Sequence, residues 1–204
     1  MGRPKEHGTE TREALLNAAG ALLQAEGAAA VTVRRVADDV GTTTRAVYSL
    51  FGDKNGLMKA LYHEAAETMR RHHEAVPVGD DPVADIPELA LAYRAAALEQ
   101  PNLYWLYIGS VDPRYMDEET VALAYRSLDS VLLRIRHAIA LGRFPDRDPL
   151  DIGRQLWALV HGLASLELKG FLCDPGRDRE TEGRRNWLEA VKTTLDGLQA
   201  QVER

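Results

Sequence analysis

The chain has 204 residues, of which 45% are hydrophobic, and its formal net charge is -6. This length suits one or two domains, and the hydrophobic fraction is typical of a globular protein with a proper core. The single cysteine, Cys173, excludes an internal disulfide, a multi-cysteine metal site and a CxxC redox pair. The chain lacks the ~18-residue apolar stretch of a membrane span and the apolar segment of a signal peptide, so a cytoplasmic protein is expected.

The hydrophobic pattern repeats with the 3.6-residue period of an α-helix, and no segment alternates convincingly as a half-buried strand does. Glycines and prolines divide this pattern into segments, which predicts an all-α protein of about nine helices. A Pro/Asp-rich connection over residues 77–87 leads into the fifth helix, whose start can fall within it and which is expected to end near residue 100. The other helices are predicted at 9–26, 33–40, 43–51, 54–76, 101–108, 117–141, 150–172 and 181–204.

Two of the short helices, joined by a turn at Gly41, have the arrangement of a helix-turn-helix. The exposed face predicted for the second of them has hydroxyl groups, one arginine and one tyrosine, but no acidic residue. Such a face suits a helix that approaches phosphates and base edges, and its N-terminal residues reach the major groove. These considerations place Thr44 and Arg45 nearest the bases, and Thr43 and Tyr48 on phosphates.

The negative net charge of the whole chain argues against a nucleic-acid binder, but the charge is unevenly distributed along the sequence. Residues 1–76 carry ten Lys/Arg and ten Asp/Glu, whereas residues 77–204 carry fifteen and twenty-one. The N-terminal part is therefore neutral, and the remainder holds all of the net negative charge. A DNA-contacting face on the N-terminal part is compatible with this distribution.

The segment from Thr32 to Leu57, TVRRVADDVGTTTRAVYSLFGDKNGL, resembles the signature of the tetracycline-repressor (TetR) family of transcriptional regulators. Its Thr-Val opening, VADDVG helix, threonine-rich turn, VY..F pattern and DK pair occur in the family's order and spacing. The resemblance extends back to the first helix, LLNAAGALLQAEG. One departure is Leu50, where relatives often carry a polar or aromatic residue. The resemblance implies phosphate contacts by Thr32, Thr43, Tyr48 and Lys54, and base contacts by Arg34, Thr44 and Arg45.

The N-terminal run Gly2-Arg3-Pro4-Lys5 has two interpretations of similar weight. Arms that precede a helix-turn-helix can enter the minor groove, where arginine is attracted to narrow A·T-rich stretches. A disordered polar start explains the same residues, so both interpretations stay open.

The predicted domains are a helix-turn-helix domain over residues 1–53, a linking helix over 54–76, and a ligand-binding and dimerisation domain over 77–204. The predicted helix over 150–172 is apolar on nearly every side, which favours packing on its own domain and on a second subunit. Its segment WALVHGLASLELKG resembles the W…HG segment of one C-terminal subtype of the family (WHG-like), which implies a helix-pair homodimer. The candidate interface residues are Leu159, Leu163, Leu166, Leu188, Val191, Leu195 and Leu198.

Aromatic residues are concentrated on helices that are predicted to surround the centre of the C-terminal domain. An apolar cavity with a few fixed polar groups is typical of small-molecule sites, and the resemblance implies such a pocket. For each single side chain, core packing is an equal or better explanation, and His161 has a further role open to it in the helix interface. The candidate pocket residues are Tyr93, Tyr104, Trp105, Tyr107, Met116, Trp157 and His161.

The predicted function is transcriptional regulation by a homodimeric repressor that a small-molecule effector releases from near-palindromic double-stranded operator DNA. The alternative is a constitutive DNA-binding protein whose C-terminal domain only dimerises or binds a protein partner. An enzyme is not predicted, because no HExxH, GxSxG, P-loop or dinucleotide fingerprint occurs in a suitable context. No cofactor, metal or membrane partner is expected.

Overall fold

A computed structural model describes residues 4–108 and 118–202 of the chain. Within these ranges the chain forms nine α-helices and no β-strand, so the predicted all-α fold is confirmed. No helix in these ranges is long and apolar enough to cross a membrane. The helices are α1 (Pro4–Glu26), α2 (Val33–Val40), α3 (Thr44–Phe51), α4 (Lys54–Glu74), α5 (Pro82–Glu99), α6 (Pro101–Ile108), α7 (Glu118–Ala140), α8 (Pro149–Leu168) and α9 (Arg179–Gln199).

Helix α8 ends four residues before the predicted limit at residue 172, because a glycine reverses the chain there. Gly170 has a φ of +79°, a left-handed conformation that glycine adopts without steric cost. Its N–H donates to the Glu167 carbonyl at 2.9 Å, and the Phe171 N–H donates to the Leu166 carbonyl at 2.8 Å. These two bonds form a Schellman motif, which satisfies carbonyls of the last turn and stops the helix. The apolar residues that follow Gly170 continue the hydrophobic pattern but not the helix.

The helices form two compact units with discontinuous boundaries. Unit 1 lies within Met1–Glu67 and Gln100–Leu123, and unit 2 lies within Thr68–Glu99 and Ala124–Arg204. Helix α6 belongs to unit 1 because it packs against α1, whereas the sequence placed it in the C-terminal domain. Helix α4 contributes residues to both units. These boundaries differ from the predicted domain limits, and the division by function stays a prediction.

Unit 1 has an apolar core to which each of its first four helices and α6 contribute. On their inward faces, α2 buries Val36 and Ala37 completely and α3 buries Val47 completely. Because the inward faces are fixed by this packing, the outward faces of α2 and α3 are fixed as well. The core also contains Leu15, Leu16 and Ala19 of α1, Leu57 and Leu61 of α4, and Leu103 of α6.

A buried arginine joins three helices of unit 2. Arg94 of α5 donates to Glu167 of α8 from Nη2 at 2.7 Å and from Nε at 3.0 Å, and to Glu180 of α9 at 2.9 Å. The indole N–H of Trp187, also on α9, donates to the second Glu167 oxygen at 2.7 Å. A buried charge that loses its partners is strongly destabilising, so these bonds hold α5, α8 and α9 in one arrangement.

A second buried arginine holds the connection between α4 and α5. Arg134 of α7 donates to the Val76 and Pro77 carbonyls at 3.1 and 2.9 Å, and to Asp85 at 3.2 Å. The same Asp85 carboxylate accepts the Gly79 N–H at 2.9 Å. The backbone that follows α4 is therefore attached to α5 and α7 by hydrogen bonds, and the Pro/Asp-rich connection is an ordered part of unit 2.

The predicted subunit interface needs correction at three positions on α9. Val191, Leu195 and Leu198 are at most 3% exposed within their own chain. Side chains that are already covered have no surface left for a second subunit, so their heptad-like stripe belongs to the interior of unit 2. Leu163 is buried in the same way, whereas Leu159 and Leu188 are half-buried and Leu166 is exposed.

We expect Gly183→Ala to lower the free energy of unfolding by about 1–3 kcal/mol, the usual cost of overpacking. A Cβ atom at Gly183 would lie 2.6 Å from Glu167 Oε1 and 3.0 Å from Arg94 Nη2, so the buried ion pair must shift. Gly197→Ala on the same helix is the matched control, because its Cβ meets nothing within 4 Å. Urea denaturation of the two variants measures the difference. Equal stabilities would show that the Arg94 network tolerates displacement.

Candidate nucleic-acid interface

Threonine side chains start both helices of the motif. Thr32 is extended at φ -122° and ψ 147°, and its Oγ1 accepts the Arg35 N–H at 3.2 Å. Thr43 caps α3 in the same manner by accepting the Ala46 N–H at 3.2 Å. Each hydroxyl keeps its own proton after accepting this bond, so it can still donate to a phosphate oxygen.

The turn between α2 and α3 is set by Gly41, which has a φ of +70°. The Gly41 N–H donates to the Asp38 carbonyl at 3.1 Å, and the Thr42 N–H donates to the Ala37 carbonyl at 2.9 Å. This is again a Schellman motif, and both of its hydrogen bonds join backbone atoms. The turn therefore depends on no side chain of the outward α3 face.

The outward face of α3 is open to solvent. Thr44, Arg45, Tyr48 and Ser49 are all exposed, and Tyr48 reaches 54% exposure. Leu50, the position that departs from the family pattern, is exposed at 38%. The face combines hydroxyls, one guanidinium and no carboxylate, which matches what phosphate and base-edge contacts require.

The three arginines of α2 and α3 differ in their partners. Arg34 is 87% exposed in its side chain, and its contact with Asp38 is 3.9 Å long. Arg45 has no ion pair within the part of the chain that the structure describes. Arg35, in contrast, donates two hydrogen bonds to Glu26 of α1, at 2.8 and 2.6 Å. Arg34 and Arg45 are therefore the two guanidinium groups of the motif that are open to DNA.

Lys54, at the start of α4, has a structural contact that sequence reasoning missed. Its Nζ donates to the Ala28 carbonyl at 2.6 Å, which ties α4 to the loop between α1 and α2. An ammonium group has three donors, so this bond leaves others for a phosphate. No sequence pattern indicates the Ala28 contact, because the acceptor is a backbone atom 26 residues away.

Helices α3 and α4 meet so closely that a side chain does not fit between them. A Cβ atom at Gly56 would lie 1.8 Å from the Phe51 carbonyl oxygen. Gly52 makes the preceding reversal at a φ of +78°, and Asp53 Oδ1 accepts the Gly56 N–H at 2.8 Å. The last turn of α3 is thereby fixed against the first turn of α4.

Helix α1 supports this junction from the other side through Arg12. The Arg12 guanidinium carbon lies 6.0 Å from the centre of the Phe51 ring, within cation–π range. The same side chain pairs with Glu64 of α4 at 3.1 Å. Arg12 therefore contacts the end of α3 and the middle of α4 together, a role that its sequence position does not reveal.

The predicted pocket residues are distributed over both units. Tyr104 and Trp105 belong to unit 1, where their rings pack edge to face with centres 5.5 Å apart. Tyr93 is buried in unit 2 beside His73 and Trp187, at ring distances of 6.2 and 6.4 Å. Met116 and the side chain of Tyr107 lie outside the described residues, as do Gly2, Arg3 and the side chain of Lys5.

Two candidate pocket residues lie on α8. Trp157 is 43% exposed, so its assignment to an enclosed pocket needs correction. His161 is half-buried on the same helix, and burial, with a smaller effect of Lys169, lowers the pKa of its imidazole. Exposed Leu166 and Trp157 flank the small residues Ala158 and Gly162 along this outward surface.

Comparison with known proteins decides the family. A family model described as "Bacterial regulatory proteins, tetR family" matches residues 15–61, which include α2, α3 and the start of α4. A second, described as "Tetracyclin repressor-like, C-terminal domain", matches residues 86–186. The chain belongs to the TetR family. It is a DNA-binding transcriptional regulator, with α2 and α3 as the helix-turn-helix of the family.

Individual relatives of this TetR-family regulator agree in length and fold. The HTH-type transcriptional repressor AcnR of Corynebacterium glutamicum is 23% identical over 194 residues, covering 92% of this chain and 93% of the relative. PfmR of Thermus thermophilus has a TM-score of 0.69 at 19% identity, covering 87% of this chain and 97% of that one. KstR2 of Mycobacterium tuberculosis, a ketosteroid transcriptional regulator, also has a TM-score of 0.69 at 19% identity, over 92% and 94%. The WHG-like subtype stays a prediction.

We expect Gly56→Ala to destabilise the regulator by about 3 kcal/mol, the upper end of ordinary overpacking, because the obstructing atom is backbone. Operator binding should weaken in parallel, since the last turn of α3 must move. Gly8→Ala on α1 is the control, because a Cβ there meets nothing within 4 Å. Thermal unfolding and DNA binding measure the two effects. Unchanged binding by Gly56→Ala would contradict a rigid α3–α4 junction.

Proposed function

We propose that this TetR-family regulator is a homodimeric repressor that binds a near-palindromic operator and leaves it when a small molecule binds to unit 2. The observation that carries the proposal is the outward face of α3, which is solvent-exposed, contains Arg45 and has no carboxylate. The similarity to AcnR, itself named a transcriptional repressor, supports repression as the direction of control.

The exposed groups suit distinct parts of the DNA. Arg45, in the first turn of α3, can pair bidentately with guanine in the major groove, and the methyl group of Thr44 can contact thymine. Arg34 on α2 is the second guanidinium directed to solvent. The groups that contact phosphates in this proposal are the hydroxyls of the capping threonines Thr32 and Thr43, the Tyr48 hydroxyl and the remaining N–H donors of Lys54.

The second subunit docks, in this proposal, on the outward surface of α8. Trp157 and Leu166 expose large apolar side chains there, and exposed apolar groups of this size gain stability when a partner covers them. Ala158 and Gly162 lie between them, and small residues allow close approach of a second helix. A two-fold dimer presents two α3 helices, which explains the expectation of an operator with two half-sites.

The effector site is proposed to lie in the interior of unit 2. The Thr68 hydroxyl of α4 is buried there without a hydrogen-bond partner among the described residues. Buried polar groups are nearly always hydrogen-bonded, so a bound polar group on a ligand would satisfy this one. Tyr93 and His161 remain candidate contacts, since one is buried and the other half-buried in the same unit.

The coupling between effector and operator is proposed to run along α4, which contributes residues to both units. A 100-fold loss of operator affinity requires about 2.7 kcal/mol of coupling free energy. A shift of α4 would move α3 with it, because the two helices are in contact at Gly56. The competing hypothesis is a constitutive DNA-binding protein whose unit 2 only dimerises or binds a protein partner.

Two experiments test the function as a whole. Selection of bound duplexes from random-sequence DNA should recover a near-palindrome, and recovery of no preferred sequence would contradict operator recognition. Thermal-shift screening of metabolite and drug-like compounds should then find ligands that raise the melting temperature by mass action and release the selected DNA. Ligands that raise the melting temperature without releasing DNA would favour constitutive binding.

Arg45→Ala should cost about 1–3 kcal/mol of affinity for the selected duplex and relax specificity at one base position. The loss follows from removal of the one guanidinium on the outward α3 face. Arg136→Ala, an exposed arginine on α7, is the matched control and should leave binding unchanged. Titration against the selected duplex and its single-base variants measures both effects. Equal losses for all base variants would assign Arg45 to a phosphate instead.

Leu166→Asp should shift the protein from dimer to monomer and weaken operator binding, because it places a charge in the apolar α8 surface. Leu141→Asp, at a leucine directly after α7 that is 55% exposed, should leave the dimer intact. Sedimentation and DNA titration of the two variants at equal concentrations measure the outcome. A Leu166→Asp dimer with full operator affinity would move the interface elsewhere.

A further inference from the structure

An ion pair with two hydrogen bonds joins Arg35 of α2 to Glu26, the last residue of α1. Both guanidinium Nη atoms donate to the carboxylate, at 2.8 Å to Oε2 and 2.6 Å to Oε1. The hydrogen bond from Arg35 lowers the pKa of the Glu26 carboxyl, so Glu26 stays ionised at neutral pH. Asp39, one turn further along α2, adds a weaker attraction on Arg35.

Arg35 lies close to the part of α2 that is expected to contact DNA. Its backbone N–H donates to Thr32 Oγ1, and Thr32 is the N-cap of the helix. Both residues therefore belong to the first turn of α2, where a phosphate would accept hydrogen bonds from the helix N-terminus. The Arg35 side chain extends from this turn and remains partly exposed.

A carboxylate and a phosphate compete for the same donors of an arginine. The planar guanidinium presents a pair of N–H groups that fits two oxygens of either group. In this structure Glu26 occupies that pair, whereas Arg34 and Arg45 keep theirs open to solvent. Arg35 is therefore a third arginine of the motif, and its pairing with Glu26 keeps its guanidinium from contacting DNA.

We propose that Glu26 withholds the Arg35 guanidinium from the DNA backbone and so lowers the affinity of this regulator for DNA of any sequence. The proposal rests on the proposed function, in which α2 and α3 contact the operator. Glu26 removes one potential phosphate contact, and phosphate contacts carry no sequence information. Its effect is therefore the same on operator and on other DNA, and it limits how tightly the regulator is held without altering which sequence it prefers.

The test compares the full-length wild type with Glu26→Gln, Arg35→Gln and the double variant. Affinity is measured between about 50 and 200 mM salt, for the duplex that the wild type selects and for a random-sequence duplex of equal length. Glu26→Gln should bind both duplexes more tightly, with a salt slope steeper by about 0.9. Its advantage over wild type should consequently be about 3.5-fold larger at the lower salt concentration. Arg35→Gln and the double variant should keep the wild-type slope.

Glu13→Gln is the matched control, because it removes one exposed carboxylate from the same helix without freeing an arginine. An equal change of slope in Glu13→Gln and Glu26→Gln would overturn the proposal in favour of general charge repulsion. A shallower slope for Arg35→Gln would also overturn it, because Arg35 would then contact DNA despite Glu26.

The failure of this inference differs from the failure of the proposed function. A wild type that selects no preferred duplex contradicts operator recognition itself. A wild type that selects a duplex, together with a Glu26→Gln variant of unchanged slope and normal helix content by circular dichroism, contradicts only the role of Glu26. A gain of affinity confined to the selected duplex would likewise overturn it, since the proposed contact is to the backbone.

Discussion

The close approach of α3 and α4 is the constraint on which the DNA-binding unit depends. Gly56 admits the Phe51 carbonyl at a distance that no side chain allows, and Asp53 caps the helix that follows. Arg12 holds the same corner from α1 through the Phe51 ring and Glu64. With the junction fixed in this way, any displacement of the α4 start is also a displacement of the recognition helix. The outward α3 residues need no contacts of their own to keep their direction.

In unit 2, the hydrogen bonds of two buried arginines fix the helices relative to one another. Arg94 binds carboxylates from two other helices, and Glu167 in turn accepts the Trp187 indole N–H. Arg134 donates hydrogen bonds to the Val76 and Pro77 carbonyls, which follow α4. Such pairs demand particular geometry, since a partner that moves away leaves an unsolvated charge. They favour a small number of discrete arrangements over continuous deformation, which is the property that an effector-controlled switch requires.

The sequence predicted the all-α fold and most helix limits, because each of these depends on residues that are neighbours along the chain. Gly41 and Thr43 are examples, since a positive φ and an N-cap each have a local signature. The pairing of Arg94 with Glu167 could not be foreseen, because 73 residues separate the partners and many carboxylates compete for the assignment. The assignment of Leu195 to the subunit interface needed correction for a related reason. An apolar stripe shows that a helix face is covered, but its own chain and a second subunit cover it equally well.

The turn at Gly41 has a consequence for the divergence of operators. Its hydrogen bonds use only backbone atoms, and the inward side of α3 is anchored by Val47. The outward side chains of α3, Thr44, Arg45, Tyr48 and Ser49, therefore bear little of the folding energy of the domain, and substitutions among them change recognition at small cost in stability. A scaffold of this kind allows a duplicated copy to acquire a new target sequence by a few surface replacements while its folding remains intact.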